Sequence, residues 1–155
     1  MCGGFVKHDD AIMARLYVMS GHVRDRLGSP LWRSIADGIK QSGRGDAGRL
    51  DGVYSWVLSR LRYAPDPRGV DMYLTPEAAL RRGAGDCDEH ATMIALLLKQ
   101  MGYRVKLRAA SKNGERFTHV YAMALVGPRW VAVDTVARRG IDFELPHKRT
   151  LDLEV

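Results

Sequence analysis

Residues 85–92 read Gly-Asp-Cys-Asp-Glu-His-Ala-Thr, and they open a run rich in alanine, isoleucine and leucine that extends to Met101. Asp86 is a residue type that caps helix N-termini and Gly102 one that ends helices, so the pattern predicts a helix from about Cys87 to Met101. Apolar residues cover much of its circumference, which indicates a deeply buried helix. The stretch therefore places a cysteine in the first turn of a core helix.

Downstream of this helix the apolar periodicity changes to two, which is typical of β-strands. The pattern predicts three strands, near residues 103–111, 117–126 and 130–136, joined by turns at Asn113-Gly114 and Gly127-Pro128. Helices come first and strands follow, so we expect an α+β fold in which the cysteine-bearing helix packs on an antiparallel sheet of about three or more strands.

Upstream of the cysteine, residues 9–62 form a leading segment with helical periodicity. Asp9 or Asp10 is expected to cap the first helix, and Asp46 the third. A second helix is predicted near residues 31–40. Two shorter signals follow this segment: a loop over residues 63–69 and a helix that begins at Thr75-Pro76.

Bulk composition limits the classes of function. Of the 155 residues, 46% are hydrophobic, and the formal net charge is +6. Basic and acidic residues interleave, so nucleic-acid binding is the weakest hypothesis, without a basic–aromatic pattern or a recognition helix to support it. No apolar run approaches the length of a membrane span. The first residues lack a signal-peptide core, so we expect a cytoplasmic location in the producing cell.

The chain has two cysteines, Cys2 and Cys87, which do not form a disulfide framework. Cys87 is the candidate nucleophile, because a helix N-terminus lowers the pKa of a thiol. Its own backbone N–H is expected to be an unpaired helix-terminal donor that can face a developing oxyanion. Asp86, Asp88 and Glu89 oppose this effect, since negative charge raises the pKa of a thiol.

A thiol also needs a base. His119 lies on the second predicted strand and Asp134 near the end of the third, and a hairpin turning at Gly127-Pro128 would place the two side by side. A carboxylate behind an imidazole fixes its tautomer and stabilises the imidazolium. The sequence therefore predicts a Cys87–His119–Asp134 triad.

Three ordered motifs resemble the transglutaminase-like superfamily. Residues 85–92 resemble its cysteine motif, 118–122 (Thr-His-Val-Tyr-Ala) its histidine motif, and 129–135 (Arg-Trp-Val-Ala-Val-Asp-Thr) its aspartate motif. The family usually has proline after the aspartate, whereas Thr135 follows here. The resemblance spans roughly residues 53–136.

The resemblance implies a papain-like core over about residues 53–136, within a single domain of residues 1–155 that ends in an irregular tail at 137–155. It implies a cysteine peptidase, amidase or transglutaminase that acts on peptide or protein amides through a thioester, without metal or cofactor. The short form resembles bacterial and phage members. Cleavage of cell-wall peptide, or a structural role in a phage tail or virion with or without catalysis, is the alternative.

Two other residues are weighed against the triad. His90, three residues after Cys87, is interpreted as structural, in an i,i+3 contact or paired with an acid. A metal site at Cys87 and His90 is not expected, since no second pair of ligands completes it. Cys2 is interpreted as incidental.

Overall fold

A computed structural model describes residues 2–155, with side chains from residue 9 onward. Cys2 therefore lies where no side chain is described. The elements, in chain order, are α1 (Cys2–Arg24), α2 (Pro30–Ser42), α3 (Gly45–Arg60), β1 (Arg62–Tyr63), α4 (Pro76–Arg82), β2 (Ala84–Gly85), α5 (Cys87–Gln100), β3 (Val105–Ser111), β4 (His119–Val126), β5 (Arg129–Val133) and β6 (Arg149–Glu154).

The leading helices exist as predicted, but two of their starts differ. Asp9 and Asp10 lie inside α1 rather than at its N-cap. The carboxylate of Asp9 pairs with the guanidinium of Arg149, so it is engaged in a tertiary contact instead of a cap. Helix α3 begins at Gly45, which places Asp46 in its first turn, where an acid also favours the helix dipole.

Helix α5 is the centre of the core. Every residue from Asp88 to Leu98 is buried, and helices α1, α2, α3 and α4 as well as strands β3 and β4 pack around it. None of the helices in the described range combines the length and apolar character that a bilayer crossing requires.

Four antiparallel strands form the main sheet in the order β5-β4-β3-β6. The three predicted strands are confirmed as β3, β4 and β5, with tighter bounds. Ala122 of β4 pairs with Leu107 of β3 and with Val133 of β5. The inner face of the sheet packs against α5, and the outer face carries a small cluster of its own, formed by Ala110, Tyr121, Met123 and Ala132 with Trp130 against it.

Strand β6 corrects the prediction that residues 137–155 form an irregular tail. Leu151 and Leu153 pack against the core, while Asp152 pairs with Lys106 and Arg108 of the neighbouring strand. The alternation was present in the sequence, but charged residues on the solvent side concealed it. These charges are compensated across the sheet, which is why so polar a segment forms a strand.

A second, two-stranded parallel pair was not predicted. Tyr63 of β1 pairs with Gly85 of β2. Tyr63 is the first residue of the predicted loop, and Gly85 lies just before the predicted core helix. Each strand has only two residues, too few to produce a periodic signal. The pair fixes the backbone immediately before α5, and so it fixes where Cys87 begins the helix.

Candidate active site

Cys87 is the first residue of α5, and a capping box holds it there. The Asp86 carboxylate accepts from the Asp88 N–H at 2.9 Å, and the Glu89 carboxylate accepts from the Asp86 N–H at 2.9 Å. Glu89 also accepts from the Leu74 N–H at 3.2 Å, which ties the preceding loop to the helix start. In the described part of the chain, the Cys87 N–H has no acceptor, so it is available to a ligand oxygen.

The electrostatic surroundings of the Cys87 thiol correct one expectation. Burial, followed by the carboxylates of Asp88 and Asp86, raises the pKa of this thiol well above its ordinary value. A hydrogen bond from the Val120 backbone and the charge of Arg15 lower the pKa of the thiol but do not outweigh those effects. The pKa of this thiol is therefore raised, opposite to the lowering expected from the helix N-terminus, and the neutral form of the thiol is favoured at rest.

Asp88 links the thiol to the first helix. Its Oδ1 accepts from the Cys87 Sγ at 3.7 Å, and its Oδ2 lies 3.4 Å from Arg15 Nε. Burial raises the pKa of Asp88 to about 6, against the opposing effect of Arg15. Arg15 also lies 3.5 Å from Asp71. Sequence reasoning missed this contact, because no local signal connects a residue of α1 to a residue of α5.

The donor atoms of Asp86, Cys87 and Asp88 lie within 4.8 Å of one another. Among the described residues, these three form a candidate cation-binding group. Arg15 already supplies positive charge beside it.

His119 and Asp134 are in direct contact. The imidazole Nε2–H donates to Asp134 Oδ2 at 2.6 Å. The other carboxylate oxygen, Oδ1, accepts from the N–H groups of Val136 at 3.0 Å and Ala137 at 3.3 Å. Asp134 is 3% exposed on its side chain and His119 13%, so the pair is largely shielded from water. The backbone turn after β5 thus fixes the carboxylate.

The outer face of the sheet supports this imidazole. The His119 ring stacks on Tyr121, with ring centroids 5.5 Å apart. The Tyr121 hydroxyl donates to Glu144, which also accepts from Arg108 at 3.0 Å. Burial and the bond to Glu144 raise the pKa of Tyr121, so the phenol stays protonated. Tyr121 lies inside the histidine motif, but its partner Glu144 lies in the supposed tail and had no signal.

The structure brings the thiol and the imidazole to the same strand end without joining them. No hydrogen bond connects the Cys87 sulfur and the His119 ring in the described residues. The sulfur is close to the backbone N–H of Val120, the residue that follows His119. With Nε2 held by Asp134, Nδ1 is the ring nitrogen left for the thiol.

Thr135 takes part in a contact that connects the two parts of the site. Its hydroxyl is hydrogen-bonded to His90 Nδ1 at 2.7 Å, and both residues are buried. The partner of His90 is thus a hydroxyl, where the sequence predicted an acid or an i,i+3 contact. Burial lowers the pKa of His90, so the ring is neutral. The contact joins the end of β5, next to Asp134, to the helix that carries Cys87.

A sequence model of the transglutaminase-like superfamily matches residues 33–135. The match covers well over half of the chain and includes all three motifs. The chain belongs to the transglutaminase-like superfamily. Among curated protein sequences no match was found.

Several solved structures share the fold. A proposed protease from Parabacteroides distasonis matches over 78% of this chain and 26% of its own, with a TM-score of 0.65 and 14% identity. A proposed cysteine protease from Cytophaga hutchinsonii matches over 66% of this chain and 36% of its own, with a TM-score of 0.55 and 14% identity. Calcium-bound LapG from Legionella pneumophila matches over 70% of this chain and 75% of its own, with a TM-score of 0.51 and 17% identity.

These similarities establish a transglutaminase-like α+β fold. The chain spans about a quarter to a third of the length of the first two of these proteins.

Proposed function

We propose that this chain is a cysteine acyl-transfer enzyme that cleaves amide bonds in peptides or proteins. Cys87 is the nucleophile, His119 the general base and acid, and Asp134 the group that orients the imidazole. The observation that carries the proposal is the 2.6 Å hydrogen bond between His119 and Asp134. His119 is the first residue of β4, and the backbone of the next residue, Val120, contacts the Cys87 sulfur. Membership of the transglutaminase-like superfamily supports the same chemistry.

The reaction follows from the positions of these groups. The Cys87 sulfur attacks the amide carbon while its proton passes to His119 Nδ1, and the carbonyl oxygen becomes an anion facing the Cys87 N–H. Collapse breaks the C–N bond, and the same proton passes from His119 to the departing amine. Water then attacks the thioester, gives a proton to His119, and releases the acid. The proton returns to the Cys87 sulfur, which restores the enzyme.

Because the thiol is neutral at rest, His119 must remove its proton during the reaction. A thiolate held beside Asp88 and Asp86 would be unfavourable, so deprotonation should accompany the attack rather than precede it. The Cys87 side chain must turn from Asp88 Oδ1 toward the ring for this transfer. Catalytic hydrogen bonds that are absent in a free enzyme often form only with substrate in place.

Hydrolysis is the simplest outcome, and it agrees with the protease activity proposed for two of the structural neighbours. Transfer of the same thioester to an amine is the transglutaminase alternative. Cleavage of cell-wall peptide, a place in a phage tail or virion, and a cytoplasmic location stay predictions from the sequence. None of the described contacts supports the non-enzymatic role in particular.

The proposal can be tested by trapping the thioester. In a Cys2→Ser background Cys87 is the only thiol, so a mixture of peptide 4-nitroanilides can be added and the intact mass measured after acid quenching. We expect an acyl adduct that hydroxylamine removes as a hydroxamate, and that Cys87→Ser lacks. His119→Asn should slow its formation by about 10²- to 10⁴-fold. Equal acylation in His119→Asn would show that the imidazole is not the base.

A further inference from the structure

A small pocket borders His119 on the face of the sheet away from α5, the face that also carries Ala110. Its volume is about 240 Å³, and it is lined by Ala110, Lys112, Thr118, His119, Leu145 and Pro146. Pockets that bind a whole small molecule usually have about 300–1,000 Å³. This cavity therefore has room for one residue of a longer substrate rather than for a complete ligand.

The walls of the pocket combine aliphatic surface with one cation. Ala110, Leu145 and Pro146 supply the apolar walls. Lys112 is exposed, and in the described residues no carboxylate lies within 4 Å of its ammonium group. An unpaired ammonium beside aliphatic walls matches a group that has a short apolar stem and a terminal negative charge.

Both walls of the pocket are built before a substrate arrives. On one side, Glu144 is held by Arg108 and Tyr121, and the Lys148 N–H donates to the Ser111 carbonyl at 2.9 Å, so both ends of the Leu145–Pro146 wall are anchored. On the other side, the hairpin that carries Lys112 has a fixed shape. The Asn113 side chain accepts from three groups there: Ser111 Oγ at 3.1 Å, the Glu115 N–H at 2.9 Å and the Arg116 N–H at 3.1 Å.

The position of the pocket assigns it to one side of the scissile bond. In the proposed mechanism His119 passes its proton to the departing amine, so the amine must lie next to the imidazole. A pocket that His119 itself borders therefore takes the residue that leaves. The residue on the acyl side lies toward Cys87 instead.

We propose that this pocket selects a leaving residue that carries a carboxylate, with the aliphatic stem against Leu145 and Pro146 and the charge recognised by Lys112. The carboxylate can come from an acidic side chain or from a free chain terminus. The inference rests on the proposed function for the side of the bond, but the recognition of the carboxylate is a binding event that needs no catalysis.

The experiment uses three amino-acid ligands of the same size that differ only in the presence and position of a carboxylate. Glutamic acid α-amide has it on the side chain, glutamine has it at the terminus, and glutamine α-amide has neither. Each is titrated into the full chain, and the dissociation constant is measured from NMR chemical shifts. We expect at least one carboxylate ligand to bind about three- to fivefold more tightly than glutamine α-amide, as for an exposed ion pair. The tighter of the two identifies the source.

Matched variants locate the effect. Lys112→Met should abolish the preference, whereas Lys148→Met, which removes the same charge from the neighbouring loop outside the pocket, should keep it. Raising the salt concentration should weaken the preference in the wild-type chain. Equal affinities for all three ligands, or equal losses in the two lysine variants, would overturn the proposal. Because no bond is broken in these titrations, their result is independent of whether Cys87 forms a thioester.

Discussion

The two parts of the candidate site differ in how far they are assembled. On the sheet, His119 is already bonded to Asp134 at 2.6 Å and stacked on Tyr121. On the helix, the Cys87 thiol is hydrogen-bonded to a carboxylate, Asp88, at 3.7 Å, and its pKa is raised. The proposed base is held in place in advance, while the proposed nucleophile is held in its neutral form.

This difference indicates where selectivity can arise. A neutral buried thiol reacts slowly with solutes that only collide with it, because the thiolate is the reactive species. A substrate that fills the cleft can displace water and bring the sulfur to Nδ1 of His119. The arrangement therefore favours reaction with a bound substrate over reaction with a passing electrophile.

The largest effect should come from disrupting the assembled sheet side. Asp134→Asn keeps the shape of the carboxylate but removes the charge that stabilises the His119 imidazolium. We expect peptide acylation to fall by roughly 10²- to 10⁴-fold with little change in folding. Asp51→Asn, on the exposed surface of α3, is the control. A loss smaller than threefold would mean that the 2.6 Å contact is structural only.

The next prediction concerns the packing at the start of α5. A Cβ on Gly85 would lie 2.5 Å from the Glu89 Cβ, so Gly85→Ala must displace the side chain that completes the capping box. We expect a loss of about 1–3 kcal/mol in the free energy of unfolding, measured with urea. In Gly21→Ala the new Cβ meets nothing within 4 Å, and this helix substitution should be neutral or stabilising. Similar results for both variants would contradict the crowding.

The third prediction concerns the hydrogen bond that connects the two parts of the site. Thr135→Val removes the hydroxyl bonded to His90 and leaves the buried Nδ1 of His90 without that partner. We expect the free energy of unfolding to fall by about 1–3 kcal/mol. Thr135→Ser keeps the hydroxyl and should lose clearly less. If serine and valine behave alike, the contact does not hold β5 against α5.

The smallest effect concerns the helix side and depends on pH. Burial raises the pKa of Asp88 to about 6, so above that pH its carboxylate is expected to carry a charge 3.7 Å from the Cys87 sulfur. Removing the charge in Asp88→Asn should lower the pKa of the thiol and speed alkylation by iodoacetamide about tenfold above pH 6, corresponding to about one pKa unit. Below pH 6 the two proteins should react at similar rates, because Asp88 is then protonated.

Asp71→Asn is the control for this pH test, since Asp71 contacts Arg15 but has no contact with the sulfur. It should follow the wild-type profile. A rate increase in Asp88→Asn that is equal at all pH values would point to a change of packing instead of charge.

Local signals were sufficient to predict much of this structure. Asp86 caps α5 as expected, and the hairpin at Gly127-Pro128 brings β4 against β5. The register is displaced slightly from the predicted one, since Ala122 faces Val133, and the Asp134 side chain reaches diagonally to His119. A carboxylate has enough reach to tolerate this displacement.

Features that depend on distant parts of the chain could not be predicted. Arg15 and Asp88 meet only because α1 packs on α5, and neither residue belongs to a pattern that names the other. Strand β6 is stabilised by Arg108 and Lys106 of β3, which compensate Asp152. The raised pKa of the Cys87 thiol likewise depends on burial, which composition does not specify.

The 15-residue separation of His119 and Asp134 has a consequence for the order of folding. A single hairpin brings them together, and hairpins form within microseconds. Helix α5 must bury its surface against several elements before its thiol arrives, and such long-range docking is slower. We expect a partly folded chain to contain the imidazole–carboxylate pair before the Cys87 thiol is in place. Reactivity of the thiol toward substrate should then appear only in the last stage of folding.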